Sequence, residues 1–591
     1  MIVRNMTQTA LPGSSTANPE WRQAVDRDLA ALHDHAQAWA QLSIATKIDL
    51  LRGLSTRTAA NAREWVELAT RAKGLDMNSP LAGEEWTSGP WAFINGVNRL
   101  EETLEELDQH GEVRLRHGSV RTRPDGQVVV EVFPRGLYDR LLLSGVRAEV
   151  WMEPGVTEAT LRQSMAGFYR QKTPKGAVTL VLGAGNIASI APLDVLYKLY
   201  AEGSVCLLKM NPVNDYLGPL LEEIFAEFIH AGYVRTVYGG AEVGAYVAQH
   251  KDVDEIHITG SARTHDSIMF GPGPEGERRR RDKRPLITKR MTSELGNVSP
   301  TIVVPGPWND ADIRFQAEHI ATQKMHNAGF NCIAAQVLVM PEGWDQGPRL
   351  MDEVERVLAE TPYRTAYYPG AGDRQRAFAS AHPDAHLVDR PSGDVVPRTV
   401  IRGLDSSELG EVCFRTEVFA SVLTMTSLAA RDPAEYLLAA IDFANNRLLG
   451  TLGANVIIHP ETMKSLGGRF EDALSRLRYG CVAVNSWTGV GFLIAQASWG
   501  AYPGHTADDI QSGTGVVHNS LLFDRPQKSV IYQPFYPFPR GLRHGQAAML
   551  PKPPWFITNK RAQGIGQRLV EFEAAPNPLR LAPIFSQALR G

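Results

Sequence analysis

AVTLVLGAGNIA, residues 177–188, is a short uninterrupted apolar run that passes directly into a glycine-rich turn. A run of this kind, with no polar alternation, reads as a strand buried on both faces, the hallmark of a parallel sheet. The pattern continues outward from it: a helix over about Pro192 to Ala201, the run SVCLLK ending at Lys209, a helix across Leu217 to His230, then VRTVY and DEIHIT. Strands alternating with amphipathic helices predict an α/β unit with helices on both faces of a mostly parallel sheet. A second series starts near Thr288 with SPTIVV, a helix across Asp310 to Asn327, and AAQVLVM, which predicts a second α/β domain.

The flanks read differently. From Trp21 to about Leu107 the apolar spacing is helical, with Ile48, Leu51 and Leu54 on one face. Two β-like runs around Asp125-Gly126 predict a hairpin near Val113 to Phe133, extending to about Trp151. The segment after Gly513 is rich in proline and aromatics and reads as an irregular arm. ERRRRDKR, Glu277 to Arg284, places six basic residues in seven positions and reads as a solvated interdomain loop, with a docking site for phosphate or an acidic partner as the sharper alternative. The boundaries follow: a disordered tail over residues 1–20; a discontinuous α/β unit over 21–112 and 175–287; a hairpin insertion over 113–174; a second α/β unit over 288–500; and a C-terminal arm over 501–591.

Composition excludes several classes. An apolar share of 43% and a charged share of 21% in 591 residues are those of a multidomain globular chain. A net charge of -4 gives no overall attraction to nucleic acid or anionic membrane. Cys206, Cys332, Cys413 and Cys481 are far apart without metal-ligand spacing, so neither a disulfide framework nor a metal site is expected, and a reducing cytoplasm is. Residues 1–19 lack the apolar core of a signal peptide, and no run approaches the roughly 20 apolar residues of a membrane span.

Gly183-Ala184-Gly185-Asn186-Ile187-Ala188 has the form of a dinucleotide fingerprint, in which glycines let the backbone approach a pyrophosphate. Yet the next strand ends in Lys209, where a plain Rossmann unit carries a carboxylate for the ribose. Further small residues, Gly239-Gly240 and Thr259-Gly260-Ser261, end the strands that follow.

In ordered combination these residues resemble the aldehyde dehydrogenase superfamily, from about residue 40 to 515. Asn186 stands where the family has the asparagine of "PWN", Lys209 where it has its ribose lysine, and Thr259-Gly260-Ser261 resembles "FTGS". Ser293-Glu294-Leu295-Gly296-Asn297-Val298-Ser299-Pro300 is similar to "LELGGKSP", and Asn327-Ala328-Gly329-Phe330-Asn331-Cys332 to "NAGQxC". Glu417-Val418-Phe419 is similar to the start of "EIFGPVL", and Ala444-Asn445-Asn446 and Gly480 with Asn485 fall on later motifs. The resemblance implies an α/β fold of two Rossmann-like domains plus a β-hairpin oligomerisation arm, with dinucleotide binding by 21–112 and 175–287, bridging by 113–174 and catalysis by 288–500, and a homodimer or homotetramer bridged by that hairpin.

It also implies roles. A trigonal aldehyde cannot expel hydride until a nucleophile has added, and Cys332 is the implied nucleophile. Asn186 is the implied oxyanion donor with the Cys332 backbone N–H, and Glu294 the general base. Lys209, Gly240, Gly260, Ser261, Glu417 and Phe419 are the implied contacts of NAD or NADP. Glu294 favours hydrolysis of the thioester to a carboxylic acid; an acylating, coenzyme A-linked reaction and an inactive scaffold are the alternatives. Asn297 and Phe330 depart from the family pattern beside the catalytic pair, and Pro212 leaves the NAD-against-NADP preference open. Trp487, Phe492 and Trp499 are candidates for a substrate wall or for ordinary core.

Overall fold

A computed structural model describes residues 20–389 and 395–591. The tail read over residues 1–20 lies, apart from its last residue, outside these; Glu20 opens a helix that runs to Ala40.

Strands β1 (Val120–Thr122), β2 (Val128–Phe133) and β3 (Arg147–Met152) form an antiparallel arm. The Asp125-Gly126 turn closes its hairpin, with Arg123 N–H on Gln127 O at 2.9 Å and Gly126 at a φ of 87°. Strands β4 (Val178–Leu182), β5 (Val205–Lys209), β6 (Val234–Val237), β7 (Glu255–Gly260) and β8 (Arg290–Leu295) pair in parallel in the order β8-β7-β4-β5-β6. Every residue of β4 and β5 is buried, as their unbroken apolar runs require. The register sets Leu182 beside Lys209, so these strand ends share one edge. Gly183 must be small there, because a Cβ would lie 2.9 Å from the Ala191 Cβ on the following helix, Ile190–Tyr200.

The second sheet contains β9 (Ser299–Val303), β10 (Ala335–Pro341), β11 (His386–Leu387), β12 (Thr399–Leu404), β13 (Val422–Leu428), β14 (Gly453–Ile457) and β15 (Cys481–Val484). Two late strands complete the pair of sheets. β16 (Gly513–Thr514) covers the edge of β8, and β17 (Pro526–Tyr532) lies parallel to β15 and antiparallel to β3. The result is a six-stranded sheet and an eleven-stranded one ordered β1-β2-β3-β17-β15-β14-β9-β10-β13-β12-β11. The architecture is α/β, as the sequence predicts.

Three local expectations change. The region after Gly513 is not an irregular arm throughout: β17 is an interior strand, and Ala562–Ala574 is a helix packed on Gly83–Trp86. Prolines flanking KSVIY masked a strand whose neighbours are far away in sequence. The hairpin, expected to bridge subunits, also extends the chain's own sheet, because β17 bridges β3 to β15. The Lys528 ammonium secures that bridge by donating to the carbonyls of Leu474, Ser475 and Leu477 at 2.8, 3.0 and 2.7 Å. Finally, most of the arginine-rich segment is helical, within Gly273–Arg281, and not a loop. Most of its charges are matched locally: Arg278 and Arg279 pair with Glu275, Arg280 with Asp266, and Lys283 with Asp508. Among the described residues no helix is long and apolar enough to cross a membrane.

Candidate active site

A cleft of about 700 Å³ opens at the carboxyl ends of β4, β5 and β7, where strand order reverses about β4 and ligands of open α/β sheets bind. Cys332, Glu294 and Asn186 line it, and so do Lys209, Gly240, Gly260, Ser261, Glu417 and Phe419. The fold thus brings together side chains spread over more than two hundred residues. Of the four cysteines, Cys206, Cys413 and Cys481 are buried in the packing, and Cys332 alone lines this cleft. Cys413 does have polar company, with His382 Nε2 4.0 Å from its Sγ and Glu411 beside both, a cluster that sequence spacing did not reveal.

Cys332 follows a turn in which Asn327, Ala328 and Gly329 have φ of 53°, 57° and 82°. Two consecutive non-glycine residues in the left-handed region are costly and persist only where surroundings fix them. Here Glu84 accepts the Asn327 N–H at 2.9 Å, and Lys73 donates to Asn327 Oδ1 at 3.1 Å. Lys73 also pairs with Glu85 at 2.8 Å and reaches the Asn186 carbonyl at 3.0 Å. Arg364 holds Glu84 at 2.6 Å. Burial opposes the Glu84 charge, but Arg364, His326 and the Asn327 N–H outweigh it and hold its carboxyl below the usual range. The Asn186 Nδ2 donates to Phe330 O at 2.9 Å, which ties the oxyanion turn to the cysteine turn.

Glu294 lies near the end of β8 and is 1% exposed, its strand edge covered by Gly513 of β16. Burial, and then the nearby Asp194 charge, push its pKa up to about 8, against the pull of the Cys332 thiol and Trp499. The thiol of Cys332 is itself pushed well up by burial and by Glu294. Thiol and carboxyl are therefore both protonated at rest, and activation requires a proton to leave the pair.

Glu417 and Phe419 follow a short helix, Val412–Arg415. Burial and Glu294 raise the Glu417 carboxyl to about 8, against Arg374 and Lys324, and its Oε1 has no protein partner. Arg374 donates from Nε to Val418 O at 2.8 Å and from Nη2 to Phe419 O at 3.0 Å, fixing Phe419 at a φ of 42°. Gly296 leaves room opposite for the Glu417 carboxylate: a Cβ there would lie 2.0 Å from Glu417 Oε1. Lys209 is brought down to about 8 by burial, with Asp215 opposing. An unpartnered buried acceptor, a lysine at a strand end and glycines at the rim suit the hydroxyls and phosphates of a dinucleotide.

The departures at Phe330 and Asn297 have structural reasons. Phe330 packs at 5.0 Å from Tyr367 and 5.8 Å from Phe419, backing the ring that lines the cleft. Asn297 donates to Gly453 O and accepts from Ser299, joining β9 to β14.

The aldehyde dehydrogenase family profile matches residues 152–378, a span that contains the Asn186 turn, Lys209, Glu294 and Cys332. Over these residues the chain is similar to the aldehyde dehydrogenase family. Among curated relatives it is 28% identical over 224 residues to coniferyl aldehyde dehydrogenase of a Pseudomonas species, 38% of this chain and 40% of that protein. It is 30% identical over 197 residues to the NADP(+) D-glyceraldehyde dehydrogenase of Thermoplasma acidophilum, 32% and 36% of the two. The matched segments thus span well under two thirds of these relatives. Solved structures are similar over more of the chain. The NAD-dependent aldehyde dehydrogenase of Sinorhizobium meliloti superposes with a TM-score of 0.56 at 19% identity, over 86% of each chain. Aldehyde dehydrogenase C of Pseudomonas syringae, solved with NAD+ and octanal, gives 0.57 at 18%, over 87% of this chain and 90% of that one. These likenesses show the fold alone.

Lys73, Glu84, Glu85, Arg364 and Arg374 are functional neighbours that sequence reasoning missed. They carry no motif: each is one charge among many on a helix or loop, and only its burial beside Asn186, Asn327 or Glu417 distinguishes it.

Proposed function

We propose that the protein oxidises an aldehyde to a carboxylic acid with NAD or NADP, through covalent addition to Cys332. The observation that carries this reading is the meeting of Cys332 and Glu294 at the floor of a dinucleotide-sized cleft. Glu294 in its carboxylate form takes the thiol proton, and the Cys332 sulfur adds to the aldehyde carbon, moving the carbonyl electron pair onto oxygen. One Asn186 amide hydrogen is committed to Phe330 O; the other, with the Cys332 N–H, serves the oxyanion. When bound, the nicotinamide supplies the hydride acceptor. Glu417 and Phe419 position its ribose and ring, and Lys209 the adenosine ribose. Once Glu294 has released the thiol proton to solvent and is again a carboxylate, it takes a proton from water as the water attacks the thioester carbon; the tetrahedral adduct collapses, the C–S bond breaks, and Cys332 leaves as thiolate. Pro212 is exposed and offers no carboxylate to repel a 2′-phosphate, so both dinucleotides are accommodated.

The internal pairing of the arginine-rich helix supports water over coenzyme A as acyl acceptor, since three of its four arginines, Arg278, Arg279 and Arg280, are matched within the chain. The test is product analysis of an aldehyde panel with NAD+ or NADP+, with and without coenzyme A. Carboxylic acid without coenzyme A is expected, and none from Cys332→Ala. Acyl-CoA formation that requires coenzyme A would overturn the hydrolytic reading.

A further inference from the structure

Cys332 and Glu294 line not one cavity but two. On the side away from the dinucleotide cleft they border a chamber of about 50 Å³ walled by Trp487, Phe492, Trp499 and Trp555, with Ile333 and His326. The rings interlock: His326 lies 4.8 Å from Trp487, and Phe492 meets Trp499 edge-on at 5.4 Å. Among the described residues no lysine or arginine lines this chamber. Burial lowers the pKa of His326, leaving it a neutral imidazole. The hydroxyl and amide donors on the wall are committed, Thr87 to Gly83 O, Ser88 to Glu84 O and Asn331 to His326 O, while the indole N–H groups of Trp499 and Trp555 have no hydrogen-bond partner among the described residues.

Taking the oxidation proposed above as given, we infer that the substrate is a short, uncharged, apolar aldehyde, and that Trp555 of the C-terminal extension sets its length. A carboxylate on the substrate would be buried without a cation and near Glu294, which is strongly unfavourable. Extra hydroxyls would leave water for a wall that offers them two indole N–H groups but whose hydroxyl and amide donors face the protein's own carbonyls. At about 10–15 Å³ per water-sized site, the chamber accommodates roughly three to five non-hydrogen atoms. Trp555 is the partition. Beyond it lies a second apolar cavity, of about 40 Å³, bordered by Leu569, Ile584 and Ala588, and the two share Trp555, Thr87 and Leu493 as common wall. Removing the indole joins them into a longer channel.

The experiment compares kcat/KM for butanal, octanal, glyceraldehyde and succinic semialdehyde in the full chain and in Trp555→Ala and Trp555→Leu, with circular dichroism as the check on folding. The unaltered chain should favour butanal over each of the others by at least about tenfold. The variants should shift the octanal-to-butanal ratio upward by at least about tenfold. Preference for the charged or hydroxylated aldehyde, or an unchanged chain-length ratio in either folded variant, overturns the inference while leaving aldehyde oxidation intact. If no aldehyde is oxidised by the unaltered chain, the parent reading falls, and this one with it.

Discussion

Lys73 donates to the backbone carbonyl of Asn186 at 3.0 Å, across 113 residues of sequence. The same ammonium pairs with Glu85, and the two side chains are 3% and 1% exposed. A buried pair of this kind is a poor source of net stability, but breaking it strands the remaining charge.

Lys73→Met should therefore destabilise the protein by about 3–5 kcal/mol in denaturant unfolding. It should also reduce kcat more than aldehyde KM, since the Asn186 and Asn327 turns lose a common anchor. Lys73→Met/Glu85→Gln should recover much of the stability but not the rate. A double variant no more stable than the single would argue against the stranded-charge account.

Glu294 predicts the pH response. Its pKa stands near 8 instead of the ordinary 4.5, so the base form, and with it deacylation, should increase as pH rises through about 8. Glu294→Gln should remove that limb and slow steady-state turnover at least about a hundredfold, while a first-turnover burst of reduced cofactor survives. Stability responds in the opposite sense. Glu294 and Glu417 keep their protons when folded up to about 8, whereas the unfolded chain loses them above about 4.5. Their contribution is fully present below about 4.5 and is lost as pH rises through about 8. Unfolding of Glu294→Gln across that window should show a shallower decline.

Gly296→Ala tests how Glu417 is placed. The new methyl would occupy the position of the Glu417 carboxylate, which can swing aside as a side-chain end. Cofactor KM should rise about tenfold or more, with a small change in Tm and normal alkylation of Cys332 by iodoacetamide. Gly240→Ala is the contrast: a Cβ there meets nothing within 4 Å, so any loss of cofactor affinity reflects contact with the bound dinucleotide and not a disturbed fold.

Lys528→Met tests the self-completed sheet. Three carbonyls at the end of the helix Gly468–Arg476 lose their donor, at a cost of about 1–3 kcal/mol for each left unmet. Thermal unfolding should fall by several degrees, and hydrogen exchange should rise first in β17 and β3. Protection unchanged in both strands would show that the arm is held by other contacts.

Much of this molecule is legible along the chain. The buried runs at Val178–Leu182 and Val205–Lys209, each followed by a small-residue turn or a helix, give the parallel sheet because local apolarity and period are properties of short segments. The residues of the cleft were nameable for the same reason: Asn186, Lys209, Glu294, Cys332 and Glu417 each sit in a recognisable local sequence, and strand ends on one edge converge wherever the sheet is parallel.

What tertiary structure alone decided is everything that depends on pairing across sequence distance. KSVIY could pair with any open edge; its place between β15 and β3 follows from which edges the rest of the fold leaves free. Glu84, Glu85 and Lys73 resemble solvated helix charges until folding buries them around Asn327. The raised carboxyl of Glu294 and the aromatic chamber closed by Trp555 have the same origin. Desolvation and cavity shape are set by the atoms that surround a group, and those atoms come from segments hundreds of residues away.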